Sequence, residues 1–173
     1  MNIVVAQISE DEGLSVHHLY PEGDPGLAGG EGHLIGQCEL ILRATRADDK
    51  VELIGNVSVA VEFECDRCLT DLSIPVEASF DLLYVPPLGT GEEHELGEND
   101  LSLGFYQDGI INVDDLTREQ IELSLPMARL CSDECRGLCP KCGANLNLGE
   151  CACSEDQIDA RWAALEELKS KLN

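Results

Sequence analysis

Eight of the nine cysteines of this chain fall into closely spaced sets. "CDRC" supplies Cys65 and Cys68, and "CSDECRGLCPKCGANLNLGECAC" supplies Cys131, Cys135, Cys139, Cys142, Cys151 and Cys153, six within 23 residues. Thiolates bind soft and borderline metals, and a structural zinc takes four ligands in a tetrahedron. A CxxC turn presents two sulfurs on one side, so one such turn is half a site. "CPKCG" is a half of this kind, and Gly143 permits the left-handed backbone that often follows it. "CAC" is reached through the linker "GANLNLGE", whose Gly and Asn suit a reversal of direction. Cys139, Cys142, Cys151 and Cys153 therefore make one local four-sulfur set. Cys65 and Cys68 with Cys131 and Cys135 make a second, which would clip two distant parts of the chain together. Cys38, the ninth, lies in an apolar run and reads as a small buried hydrophobe.

The same residues admit another partition. Cys135, Cys139, Cys142 and one of Cys151 or Cys153 could form a single site, leaving Cys65 and Cys68 free or redox-active. The expected ion is Zn²⁺, at two sites or, as the fallback, at one; thiolates alone also suit an iron–sulfur cluster. Four sulfurs leave no open coordination position for water, so the expected role is structural and not catalytic. Structural zinc contributes on the order of 10–16 kcal/mol to the folding of small modules. Residues 127–153 carry few large apolar side chains and would depend on it.

The elements around the cysteines can be read from periodicity. Val57, Val59, Val61 and Phe63 alternate with Ser58, Ala60, Glu62 and Glu64, the period of a strand with one buried face. After "CDRC", Leu72, Ile74, Val76, Ala78, Phe80, Leu82 and Tyr84 alternate again. The two runs form a long antiparallel hairpin with the first cysteine pair at its tip. Pro75 falls on the outward parity and marks an edge strand or a bulge. "NIVVAQIS" and "CELILRATR" are two further extended runs, with a turn at "ADD". Thr117 and Gln120 have capping-box spacing, predicting a short helix that stops before Pro126. Ser154 and Gln157 do the same for a terminal amphipathic helix with Ile158, Trp162, Leu165, Leu168 and Leu172 on one face. The expected fold class is α+β: an antiparallel sheet domain over 1–126, with mobile loops about 20–33 and 86–100. A zinc-stapled cysteine-rich module over 127–153 and a C-terminal helix over 154–173 complete it.

The formal net charge is −23. Between Arg67 and Arg118 there is no Lys or Arg, but there are eleven acids. Such a field repels phosphates, which disfavours a nucleic-acid grip and argues against DNA as a partner. It would attract a basic protein. The first residues lack the positive start of a secretory signal, and no run approaches the length of a membrane span, so a cytoplasmic protein is expected. His17, His18, His33 and His94 have no ligand spacing and read as solvated loop residues. No phosphate-binding loop, nucleophile elbow or dinucleotide fingerprint occurs, and nothing points to an enzyme.

The combination of "CDRCL", a long acidic gap, a helix running into "LSLPMARLC", and "CRGLCPKCGANLN…CAC" resembles the bacterial YceD family over roughly residues 40–153. Its members are named for accumulation of large-subunit ribosomal RNA. The resemblance implies a part in making or stabilising the large ribosomal subunit, in cells where the gene commonly neighbours that of a small, basic, zinc-knuckle ribosomal protein. It supplies no catalytic residue. Joined to the charge, it predicts an acidic holding protein for a basic large-subunit protein, with Glu92, Glu93, Glu95 and Glu98 standing in for RNA phosphates. The alternatives are an assembly factor that meets precursor RNA or the precursor particle through the metal module, and a thiol redox enzyme or sensor at Cys65 and Cys68.

Overall fold

The computed structural model describes residues 1–24, 27, 32–87 and 103–153. The acidic residues Glu92, Glu93, Glu95 and Glu98, His94, most of the loop expected over 86–100, and the helix expected over 154–173 lie outside the described residues.

Five strands form the main sheet in the order β2–β3–β4–β5–β6. They are β2 (Leu14–Tyr20), β3 (His33–Ala47), β4 (Lys50–Glu64), β5 (Asp71–Val85) and β6 (Leu103–Phe105). All pairings are antiparallel except β5 with β6. A separate pair joins β1 (Asn2–Val4) to β7 (Ile110–Asn112), and the helix α1 (Val113–Ser124) follows directly. Among the described residues the chain is thus a sheet-rich α+β fold with one α-helix.

The expected hairpin is β4–β5, in unbroken register from Val51↔Tyr84 to Glu64↔Asp71. Its inward parity is as the alternation requires: Val57, Val59, Val61, Phe63, Val76, Ala78 and Phe80 are buried. Pro75 pairs with Ala60 in that register, so there is no bulge there. It sits instead on a stretch of β5 outside the β6 pairing, where a missing N–H costs no ladder bond. The irregularity lies in β3, between Ile35 and Glu39. Gly55 lets β3 and Phe80 close on the middle of the sheet, since a Cβ there would stand 2.6 Å from the Ile41 carbonyl oxygen.

Leu40, Leu42, Leu53, Val57, Ile111 and Leu116 are all but fully enclosed. Burying each such aliphatic side chain is worth about 1.5–3 kcal/mol. Helix α1 adds Val113, Leu116, Thr117 and Ile121, spaced to share one face.

Three expectations need correction. Helix α1 starts at Val113, not near Thr117, because Asn112 is the cap: its side-chain oxygen accepts from the amides of Asp114 and Asp115 at 3.1 and 3.3 Å. Thr117 is buried a turn inside and donates its hydroxyl to the Val113 carbonyl at 2.7 Å. "NIVVAQIS" is only three residues of strand followed by a 3-10 turn at Val5–Gln7. The three described histidines are strand residues: His17 pairs with Glu39 at 2.7 Å, His18 stands edge-on to Tyr20, and His33 opens β3. Of the loop expected over 20–33, residues 25, 26 and 28–31 lie outside the described residues, and Leu27 is buried in the core, 2% exposed.

Candidate metal centres

The β4–β5 hairpin ends in a turn built by its own backbone. Cys65 N–H donates to the Thr70 carbonyl at 2.9 Å, and Leu69 N–H donates to the Cys65 carbonyl at 2.9 Å. Leu69 takes the left-handed conformation, with φ of 56°. "CPKCGA" repeats the pattern. Cys139 N–H donates to the Ala144 carbonyl at 2.8 Å, Gly143 N–H donates to the Cys139 carbonyl at 2.9 Å, and Gly143 has φ of 73°. The two CxxC segments are one kind of turn used twice. In each, the amides inside the turn face the first cysteine.

These turns meet the remaining cysteines in two groups. Cys65, Cys68, Cys131 and Cys135 form the first, and Cys139, Cys142, Cys151 and Cys153 the second; within each, all sulfurs lie within 4.8 Å of one another. In the first, Cys65 Sγ is 3.8 Å from Cys135 Sγ, and Cys68 Sγ is 3.6 Å from Cys131 Sγ. The edge of a zinc–sulfur tetrahedron is about 3.8 Å, from bonds of about 2.3 Å. A disulfide would need about 2.05 Å, and all nine cysteines are free thiols. Either four-sulfur group could hold a metal ion. Cys135 belongs with the hairpin tip, so the single-site partition is not the one the chain adopts. Cys38, also as expected, is buried in the core, where burial raises its thiol to about 11.

The thiols are electrically tuned by their surroundings. Burial opposes ionisation of Cys65, but the amides of Arg67, Cys131 and Cys68 outweigh it and hold its thiol at about 6. The amides of Cys142 and Lys141 likewise lower Cys139 to about 6. At the other extreme, hydrogen bonding to Cys135 and Cys68 drives Cys131 up to about 12, and Cys142 does the same to Cys153. In the first group Cys65 and Cys68 are both eased toward the thiolate while Cys131 resists, and in the second Cys139 is eased while Cys153 resists. Four neighbouring thiolates repel unless a cation sits among them, so the donor set fits a divalent metal.

Sulfur-directed donors support the groups from outside. Cys131 N–H donates to Cys65 Sγ, and the Asn147 amide donates to Cys135 Sγ, both at 3.3 Å. Residues 127–147 are tied to the hairpin tip by more than the sulfurs. Asp66 Oδ2 accepts from Arg129 N–H at 2.7 Å, and Asp66 N–H donates to the Arg129 carbonyl at 2.8 Å. The Arg129 guanidinium pairs with Asp66 at 3.2 Å and lies 4.9 Å above the Phe63 ring. Arg67 donates to the Cys135 carbonyl and accepts from Leu138 N–H, each at 3.1 Å.

Beside the first centre opens a cavity of about 670 Å³. Its walls include Glu62, Glu64, Asp66 and Asp71, together with His33, Phe63 and Leu69. These acids were not singled out from the sequence. The signal was the outward parity of Glu62 and Glu64, which places them on the open face of β4 at the cysteine end.

The family described as large ribosomal RNA subunit accumulation protein YceD matches residues 53–169. An uncharacterized protein of Mycobacterium tuberculosis is 32% identical over 131 residues, covering 75% of this chain and 61% of that one. The chloroplastic large ribosomal RNA subunit accumulation protein YCED homolog 1 of Arabidopsis thaliana is 26% identical over 176 residues, 88% of this chain and 51% of that one. Protein YlbN of Bacillus subtilis, also uncharacterized, is 28% identical over 127 residues, 71% and 70% of the two chains. The chain spans about three fifths of the length of the mycobacterial relatives it matches. No solved structure matches it. No described helix is long and apolar enough to cross a membrane. Both turns and both four-sulfur groups fall inside the matched residues, and the chain belongs to the YceD family of large ribosomal RNA subunit accumulation proteins.

Proposed function

We propose that this chain is a non-catalytic biogenesis factor for the large ribosomal subunit. It holds a basic protein of that subunit before assembly and so supports accumulation of the large-subunit RNA. The observation that carries this reading is the net charge of −23 in a member of a family named for that RNA. A chain so acidic is poorly suited to gripping phosphates but well suited to a lysine- and arginine-rich client. The cavity walled by Glu62, Glu64 and Asp71, beside the Asp66–Arg129 pair, suits one cationic side chain of such a client. The acids Glu92, Glu93, Glu95 and Glu98 add to the negative charge such a client would meet.

Both four-sulfur groups hold Zn²⁺ in this reading. The zinc neutralises the crowded thiolates and, with its coordination filled by sulfur, stabilises the module without taking part in a reaction. The rival reading, contact with precursor RNA through the metal module, draws on Arg67, Arg129, Arg136 and Lys141 around the centres. Two of these already serve the interior, Arg67 on the Cys135 carbonyl and Arg129 on Asp66, which weakens it. The redox reading is weakened by the near-complete enclosure of Cys65 and Cys68.

Titration of the purified chain with a basic large-subunit protein tests the holding role. Affinity should fall roughly a hundredfold as the Debye length shrinks from about 10 Å at 0.1 M salt towards 3 Å at 1 M. Binding that is unchanged by salt would contradict it.

A further inference from the structure

The two sulfur groups are unequal in their access to solvent. In the first, Cys65, Cys68 and Cys135 are at most 4% exposed, and Cys131 alone is open. In the second, Cys139 is enclosed, Cys151 is half-buried, and both Cys142 and Cys153 are exposed. The groups also differ in what holds them. The first joins segments more than sixty residues apart and is locked by Asp66, Arg67 and Arg129. The ligands of the second all lie within 139–153. Its closing arm, Cys151 and Cys153, follows in sequence the residues that bond to the hairpin and to the first centre, Asn145 on Thr70 and Asn147 on Cys135.

Oxidation of a thiolate pair needs one sulfur that the oxidant can reach and a second that can attack the product. In the second group both can come from exposed residues, Cys142 and Cys153. We propose that Cys142 and Cys153 form a peroxide-sensitive release point for the second zinc, while the first centre keeps its metal. This rests on the zinc reading above. The Cys142 thiolate attacks one oxygen of hydrogen peroxide, the O–O bond breaks, and hydroxide leaves, making a sulfenic acid. The Cys153 thiolate then attacks that sulfur, forming the S–S bond and expelling a second hydroxide. Two protons convert the hydroxides to water. Two sulfurs have lost two electrons, the peroxide has gained them, and Zn²⁺ is left with two thiolates and departs. A dithiol reductant reverses the oxidation and zinc refills the site. Because the arm lies outside the Asp66–Arg129 lock, the hairpin tip and the first centre stay assembled throughout.

The test uses the whole chain as purified, with zinc counted by elemental mass spectrometry before and after graded hydrogen peroxide. A chromogenic chelator follows release, and alkylation with peptide mapping locates the oxidised sulfurs. The expected result is two zinc ions falling to one, with Cys142 joined to Cys153 and the first loss roughly tenfold faster than the second. Two zinc ions that are both retained, that leave together, or whose first loss maps to Cys65, Cys68, Cys131 or Cys135 would overturn the inference and leave the zinc reading standing. Fewer than two zinc ions before any peroxide would overturn both.

Discussion

Leu69 and Gly143 occupy the same place in two copies of one turn, each in the left-handed region directly after the second cysteine of a CxxC pair. Only one of them is the residue that conformation prefers. Leu69 is 59% exposed, so it has little packing to lose, and a Cβ on Gly143 would meet nothing within 4 Å. The difference between them is therefore mainly backbone strain. Gly143→Ala should cost about 1 kcal/mol, whereas Leu69→Gly should be neutral or stabilising by up to that amount. Urea unfolding of the metal-loaded variants measures both. Equal losses from the two substitutions would show that the turns are not equivalent.

Asp66 joins the hairpin tip to the segment that carries Cys131 and Cys135. Asp66→Ala removes an acceptor from the Arg129 amide and a partner from its guanidinium. The pair is partly exposed, so solvent screening reduces the ionic share and the hydrogen bond dominates. A loss of about 1–2 kcal/mol is expected, with faster zinc loss to a chelator. Asp66→Asn keeps an acceptor for the amide and should recover most of the stability. If it recovers none, the amide bond is not what matters.

How much of this was legible beforehand depended on the length and redundancy of each signal. The β4–β5 hairpin shows four alternating inward residues on β4 and seven on β5, and the cysteines carry a count that divides into fours, so both could be read. β1, β6 and β7 have three residues each, too few to show a period. β2 does alternate, but His18 stands on its inward parity between Val16 and Tyr20 and hides the pattern. At α1, the spacing of Thr117 and Gln120 imitated a cap, while Asn112, five residues before Thr117, supplied the real one. The open-face acids Glu62 and Glu64 were visible as outward residues. Their convergence with Asp66 and Asp71 on one cavity needed the hairpin tip to be folded.

The Cys38 thiol predicts an alkaline effect. Its pKa is raised by burial from an ordinary 9.0 to about 11. Below about pH 9 the thiol is protonated whether the chain is folded or not, and its contribution to stability is fully present. As pH climbs from there towards 11, the unfolded chain releases this proton and the folded one does not, so stability falls. Cys38→Ala loses packing at every pH but should show a shallower decline over that window, measured by thermal unfolding. Parallel declines in the two proteins would rule out this role for Cys38.

Removal of the metal should separate the two parts of the structure. The sheet has its own core of Leu40, Leu42, Leu53 and Val57, none of which touches a sulfur group. A strong chelator should leave the sheet's far-ultraviolet dichroism largely intact. Amide exchange over residues 127–153 should become fast, because on the zinc reading that segment takes its order from bound metal. Global unfolding on chelation would mean that the centres support the sheet as well.

The holding role is tested most directly by recovering the tagged chain from cell lysate at low salt, with and without ribonuclease. A small basic large-subunit protein should stay bound after ribonuclease and be released by salt. Large-subunit precursor particles captured only while their RNA is intact, with no basic protein retained afterwards, would contradict the holding role and move the function onto the RNA.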